Sequence, residues 1–313
     1  MICELVSGDM IRRAVRDMAE AHGDSVIRLV SSTSFAISIQ DQSQKPWLIA
    51  LLDTNRQRVI EVVATTMSHV PIEVYQEAFQ YIVENQILID GFENKLGVVR
   101  DANNEIHSMF AMPGELELHA PFYLYGPYDI ALPRQLHTSS DFILNGARIT
   151  SMSKKIRIGG DADFSECEFE ALPDGAEFQR NLVLRFSSIK KLPRSLSVGR
   201  WLKISGTPIE TIPSSARIGI GIDAENSVLR IIPPGFSTAG DLKLSGSKVR
   251  KLAGIKIGGS VFVERIKDVV ISEDCEIGRF IHTDSPELRV PDRLRDYVFQ
   301  RQSFGYVRMR RSG

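Results

Sequence analysis

The sequence predicts an α+β domain over residues 1–110, a β-solenoid over residues 111–290, and a cap with a basic tail over residues 291–313. Three observations support this division. A twenty-residue period begins near Ala111, and each period contains a short alternation of apolar and polar residues. The charge also changes there, from 9 basic against 15 acidic residues before residue 111 to 29 against 24 after it. A fixed period of this length is the signature of stacked repeats.

Composition excludes several classes of protein. The 313 residues carry a formal net charge of −1, and no apolar run approaches the roughly 18 residues of a membrane span. Glu4 stands where a signal peptide needs basic charge, and three distant cysteines give neither a disulfide framework nor a zinc spacing. We therefore expect synthesis in the cytoplasm, with export into a host cell by a non-classical route left open. The acidic N-terminal part also argues against nucleic-acid binding.

Residues 1–110 alternate between helical and strand patterns. An amphipathic helix is predicted over Ser7–Glu20, and Pro71 opens a second helix at its first position. The order of helix, strands, helix and strands predicts an α+β sandwich. The predicted strands are Ser25–Val30, Ser34–Ile39, Trp47–Leu52, Arg58–Val63, Ile87–Ile89, Leu96–Val99 and Glu105–Phe110.

The repeat itself predicts the inward side chains of the solenoid. Leu182, Leu202 and Ile222 recur at one position, and apolar residues also recur two places later, so each turn has a strand with two inward residues and one outward residue. Stacked turns pair these strands in parallel about 4.8 Å apart. About nine turns fit before residue 290, with a one-residue deletion near Ala253. A column of small polar residues is expected to bond the backbone at a tight inward turn: Cys167, Ser187, Thr207, Ser227 and Ser247.

The segments Leu182–Pro193 and Leu202–Pro213 resemble the short leucine-rich repeats of bacterial effector proteins, which pair a strand with a following Leu-Pro. The resemblance covers residues 111–290 and implies one main parallel strand per turn. The chain departs from it at the Asn position, which holds Cys, Ser or Thr. An extra apolar pair, such as Leu196 and Val198, allows a second strand per turn. The alternative is therefore a parallel β-helix.

The N-terminal domain is similar in element order, size and acidity to type III secretion chaperones. That resemblance implies a homodimer that holds unfolded segments of a client through residues 1–110. The alternative is a domain that only caps the first solenoid turn, since solenoid ends need caps. At the other end, Pro291 and Asp292 followed by Leu294, Tyr297 and Val298 predict a short closing helix. The basic tail suits either an acidic surface or solvent.

Candidate chemistry is sparse in this sequence. The six histidines show no metal-ligand spacing, and no nucleophile elbow or phosphate-binding loop occurs. We interpret Gly219–Ile222 as structural, Asp161 and Asp163 as a solvated strand face, and Cys167 as a packing residue. No catalytic residue, cofactor or metal is predicted.

The strongest functional pattern lies on the outward side of the main strands. Aromatic residues beside arginine are typical of binding hot spots. Trp201 is expected to stand out from the surface because Asn181 and Gly221 beside it are small. The sequence thus predicts a non-enzymatic protein-interaction module, a bacterial effector or adaptor; the alternatives are a secretion chaperone and an enzyme with its site in the N-terminal domain. The predicted partner-binding residues are Tyr123, Tyr125, Ile143, Val183, Arg185, Trp201 and Lys203.

Overall fold

The computed structural model describes residues 2–5, 10–11, 14, 35–40, 46–53, 55–64, 69–302 and 305–308. Of the predicted helix Ser7–Glu20, the described residues Met10, Ile11 and Ala14 are helical, and the predicted strand Ser25–Val30 lies outside the described residues. None of the helices in these ranges has the length and apolar content needed to cross a membrane.

Beyond those helical residues, the described residues of the N-terminal part form an antiparallel sheet in the order β1-β2-β3-β4, the helix α1 and a small hairpin. The sequence missed β1, because four residues at the chain terminus show too little alternation to be read as a strand. The predicted strand Ile87–Ile89 forms only an isolated bridge between Leu88 and Arg58. The elements are β1 (Ile2–Leu5), β2 (Phe35–Gln40), β3 (Pro46–Leu52), β4 (Val59–Ala64), α1 (Ile72–Glu84), a 3₁₀ turn (Asn94–Leu96), β5 (Val98–Arg100) and β6 (Ile106–Ser108).

Packing continues from this part into the first solenoid turn. Val99 and Met109 belong to the same buried cluster as the solenoid core. The hydroxyl of Tyr128 donates a buried hydrogen bond of 2.8 Å to the carbonyl of Val70. The Asn94 side chain meets the open edge of the first main strand, accepting from Tyr123 N–H and donating to the carbonyl of Pro121, each at 3.0 Å. These contacts satisfy backbone groups that an exposed sheet edge leaves unpaired.

From residue 115 the chain forms a β-solenoid of about nine turns with parallel strands, as predicted. The main strands stack into an eleven-stranded sheet, called the long sheet below. Val261 pairs with Leu242, an offset of nineteen residues, which confirms the deletion near Ala253. The strands of the long sheet are β8 (Phe122–Tyr125), β11 (Phe142–Asn145), β14 (Ala162–Asp163), β16 (Leu182–Val183), β18 (Trp201–Lys203), β20 (Gly221–Asp223), β22 (Leu242–Lys243), β25 (Val261–Phe262), β28 (Ile281–Thr283), β29 (Val298–Gln302) and β30 (Gly305–Arg308).

A second parallel ladder runs along another side of the solenoid, so the expectation of one main strand per turn is corrected to two. Leu196 and Val198, the pair that suggested a β-helix, are both buried, and the chain forms a two-residue strand at Ser197–Val198 directly after Leu196. The second ladder comprises β7 (Glu115–Leu118), β10 (Gln135–Thr138), β13 (Lys155–Ile158), β15 (Glu177–Phe178), β17 (Ser197–Val198) and β19 (Arg217–Ile218), followed by β21 (Ser237–Thr238), β24 (Lys256–Ile257) and β27 (Glu276–Ile277).

A third side carries only short pairs of strands. They are β9 (Asp129–Ala131) with β12 (Arg148–Ser151), and β23 (Lys251–Leu252) with β26 (Val270–Ile271). Between them, isolated bridges such as Thr211 to Ile231 continue the stacking. This side is the least regular of the three and is called the third side below.

The small polar column bonds the backbone as predicted. Ser187 and Thr207 each donate a hydrogen bond of 2.7 Å to the carbonyl three residues earlier, and Ser227 does the same. Cys167 is fully buried, and its thiol donates to the carbonyl of Leu144 at 3.1 Å. These bonds satisfy backbone carbonyls inside the apolar core, where an unpaired polar group is costly.

The predicted short closing helix is present at the C-terminal end, and a hairpin that was not predicted follows it. A 3₁₀ helix spans Asp292–Tyr297 and buries Leu294, and an antiparallel hairpin of β29 and β30 then extends the long sheet. Arg301 contributes an ion pair of 3.1 Å to the nearly buried Glu264. The segment predicted as a basic tail therefore begins as part of the fold; Arg310 and Arg311 lie outside the described residues.

A candidate partner-binding face

The outward side of the long sheet, called the outer face below, gathers all seven predicted residues. The parallel register places Tyr123, Ile143, Val183 and Lys203 in one row along the stack. Tyr125 and Arg185 follow two residues later on the same side, and Trp201 precedes Lys203 by two. The side chains are half-buried except Tyr125, of which 58% is exposed. The alternation seen in the sequence is enough to bring them together.

Arg185 makes an ion pair that crosses two turns of the solenoid. Its Nη2 lies 2.6 Å from Oδ2 of Asp223, and the Ser205 hydroxyl donates to the other carboxylate oxygen at 2.9 Å. Asp223 is only 8% exposed, although its sequence position is outward. Burial by itself raises the pKa of Asp223, but the hydrogen bonds from Arg185, Ser205 and Glu225 N–H outweigh it and hold the pKa below the usual range. Arg185 thus ties together two turns of the outer face.

We expect Asp223→Asn to remove part of the acid sensitivity of the fold. Because the folded pKa is depressed, the stabilisation by this carboxylate is present above its unfolded value of about 3.9 and is lost as the pH falls through the folded value. The variant should be about 1–2 kcal/mol less stable at neutral pH, and the difference should shrink in acid. Urea unfolding across this pH range measures it. Glu177 forms an exposed ion pair with Arg157, so the control variant Glu177→Gln should keep the pH dependence of wild-type stability. If the stability of Asp223→Asn fell in acid as much as that of wild type, the expectation would be contradicted.

Trp201 does not stand out from the face as expected. A Cβ on Gly221 would lie 2.8 Å from Cζ3 of the indole, so the ring lies against the bare backbone of the next turn. The Lys243 ammonium lies 5.3 Å from the ring centroid, within cation–π range. Because Gly221 has no side chain, the indole ring can lie flat against its backbone. This contact removes more apolar surface from water than an upright ring would.

Phe186 belongs to this face and was missed by the sequence analysis. Its side chain is 66% exposed, and its backbone has φ of +56°, the left-handed region that bulky residues avoid. Its ring lies over Gly206, where a Cβ would come within 2.3 Å of Cδ1. The same corner holds glycine in several other turns: Gly126, Gly146, Gly206 and Gly246. A phenylalanine in this glycine column was the signal that could have identified the position.

The C-terminal end of the outer face is a packed aromatic cluster. The His282 ring stacks on Phe262 at 4.5 Å, and Tyr306 meets the imidazole edge-on at 5.0 Å. The Tyr306 hydroxyl also donates to Glu264. Burial lowers the pKa of His282. The cluster holds the terminal hairpin against the last turns.

The remaining candidates for chemistry are explained by packing or turn formation. Burial raises the pKa of the Cys167 thiol to about 11, so the thiol is protonated at neutral pH. Asp161 accepts hydrogen bonds from the backbone and the amide of Asn181. Asp101, Glu105 and His107 bring possible metal-ligand atoms within 4.8 Å of one another, a cluster that residue spacing did not reveal. Asp101 there accepts the N–H groups of its own turn and lies 3.2 Å from His107 Nε2.

Comparisons of the chain with protein-family models, curated proteins and solved structures found no match.

Proposed function

We propose that this chain is a non-enzymatic interaction module that binds a partner protein across the outer face of the long sheet. The observation that carries the proposal is Phe186. A large apolar ring is mostly exposed there, on a backbone conformation that costs about 1–2 kcal/mol for a residue with a Cβ. Strain of this kind is concentrated at functional sites. The corner is left-handed from turn to turn, and its other occupants are glycine or the polar residues Glu166, Asn226 and Arg265, so the exposed apolar ring is what sets Phe186 apart.

The surroundings of Phe186 support a protein partner. Arg185 precedes Phe186 in the chain, and its side chain stays 43% exposed while it is held by the ion pair with Asp223. Trp201 and Lys203 lie on the adjoining turn, and Tyr125 lies three turns away, roughly 14 Å along the stack. Tyrosine, tryptophan and arginine dominate hot spots. A broad ladder face suits a protein surface, since solenoids bind partners along their extended faces.

The resemblance of the repeats to bacterial effector repeats suggests that the partner is a host protein met after export. In this proposal the N-terminal part caps the first turn, through the Asn94 and Tyr128 contacts. No catalytic step is assigned to the chain.

Phe186→Gly should separate stability from binding. Relief of the left-handed strain should leave the free energy of unfolding unchanged or raise it by up to about 1 kcal/mol. Loss of the ring should weaken partner binding by about 2 kcal/mol, roughly thirtyfold. The measurements are thermal unfolding and capture of the partner from host-cell lysate by the full chain.

Glu166→Gly is the matched control, because Glu166 occupies the same corner one turn earlier with φ of +58°. It should relieve similar strain and keep capture. The double variant Trp201→Ala with Lys203→Ala should also lose capture without unfolding. If capture survives both this double variant and Phe186→Gly, the outer face is not the binding site.

A further inference from the structure

A shallow groove on the third side of the solenoid, in its later turns, is lined by cations. Arg230, Lys248, Arg250 and Lys251 surround a volume of about 430 Å³, and no carboxylate lines it. All four side chains are exposed. These cations point outward because they alternate along the chain with inward residues such as Val249 and Leu252. We call this groove the basic groove.

Little within the molecule neutralises these charges. Arg230 lies 3.8 Å from Glu210 of the preceding turn, in an exposed pair of low energy. Arg250 donates to the carbonyl of Lys267, which neutralises no charge. Across the described residues, Lys248 and Lys251 form no ion pair. Two turns earlier, Lys190 and Lys191 line a neighbouring groove on the same side. The basic groove therefore attracts a ligand of negative charge.

The other residues that line the basic groove favour an acidic peptide over a nucleic acid as its ligand. Ile231 is 53% exposed at the groove, and Pro234 also lines it. No lining residue is aromatic, so the groove lacks the stacking surface on which single-stranded nucleic acids depend. An extended peptide rises about 3.3 Å per residue and presents side chains alternately, so acidic and apolar groups can meet the cations and Ile231 together.

We infer that the basic groove binds an acidic peptide segment of a partner protein, one that carries apolar side chains among its Asp and Glu residues. This surface is distinct from the outer face of the long sheet and does not depend on the function proposed for that face. Since the charges are exposed, the interaction is screened by salt and weakens as ionic strength rises.

The test uses the full chain and a fluorescein-labelled peptide of Glu-Asp-Leu repeats, followed by fluorescence polarisation at low salt. Wild type should bind this peptide and not its Gln-Asn-Leu counterpart. Lys248→Ala with Lys251→Ala should weaken binding by about tenfold, since two of the four cations that line the groove are lost. Lys154→Ala with Lys155→Ala removes the same charge elsewhere and should change binding less than twofold. Unchanged melting temperatures establish that both double variants are folded.

Three results would overturn the inference. Equal weakening by the two double variants would mean that net charge alone attracts the peptide. If the Gln-Asn-Leu peptide bound as tightly as the Glu-Asp-Leu peptide, the carboxylates would not be what the groove recognises. Tighter binding of a labelled oligothymidine than of the acidic peptide would make the groove a nucleic-acid site instead.

Discussion

Replacing Leu202 with Asp should unfold the middle turns of the solenoid. Leu202 is fully buried in β18, directly between Leu182 and Ile222 of the adjoining turns. A carboxylate there has no partner in the apolar core, and burial of an unpaired charge costs more than about 4 kcal/mol. Because each turn contacts only its neighbours, the loss spreads along the stack from this point. Circular dichroism during urea unfolding would measure it.

Ser197→Asp gives the matched control on the same turn. Ser197 points outward from the second ladder, with Glu177 directly across from it in the preceding turn and Arg217 in the next. The added carboxylate stays at the surface between one like and one opposite charge, so stability should change by less than about 0.5 kcal/mol. Similar unfolding midpoints for the two variants would show that the assigned direction of β18 is wrong.

Gly219→Val should destabilise the same region for a different reason. Gly219 lies at a corner after β19, and a Cβ there would come within 2.1 Å of the carbonyl oxygen of Gly199. That contact is with the backbone of the preceding turn, which a rotamer change cannot relieve. The φ of Gly219 lies outside the left-handed region, so a clash between turns, and not backbone strain, sets the cost. We expect a loss of about 2–4 kcal/mol in the free energy of unfolding.

Gly114→Val serves as the comparison for this clash. Nothing lies within 4 Å of a Cβ on Gly114, so the variant should unfold within about 0.5 kcal/mol of wild type. If Gly219→Val unfolded at the same denaturant concentration as Gly114→Val, the close approach of successive turns at this corner would be disproved. The result also decides between a structural and a functional role for the glycine-rich stretch Gly219–Ile222.

The repeat predicted the inward positions of the main strands, whose environment is set by the adjoining turns. Leu182, Leu202 and Ile222 were expected to be inward, and all three are fully buried. Each of these residues contacts its equivalents twenty residues before and after it. A position that is apolar in successive repeats is therefore packed in the same way in each turn. The same reasoning gave the hydrogen bonds of Ser187 and Thr207.

The prediction was weakest where a residue departs from its column. Trp201 was expected to stand out and instead lies on Gly221, because a neighbour without a side chain offers a surface as well as a space. Phe186 departs from its column by carrying a large apolar ring where other turns carry glycine or a polar residue. Both rings contact the backbone of a glycine in the next turn, and such a contact depends on the two residues that happen to be neighbours and not on the period.

By itself the sequence determined the solenoid, its register, its deletion and the seven residues that share the outer face. These follow from local alternation repeated at a fixed spacing, since one strand register satisfies all turns at once. Only the tertiary structure decided that the second ladder forms, that β29 and β30 close the end as a hairpin, and that Arg185 braces Asp223 across two turns. The second ladder repeats with the same period, but its apolar pair left one or two strands per turn open until the turns were stacked. The hairpin and the Arg185–Asp223 pair have no repeated counterpart, so their energies depend on geometry that exists only after folding.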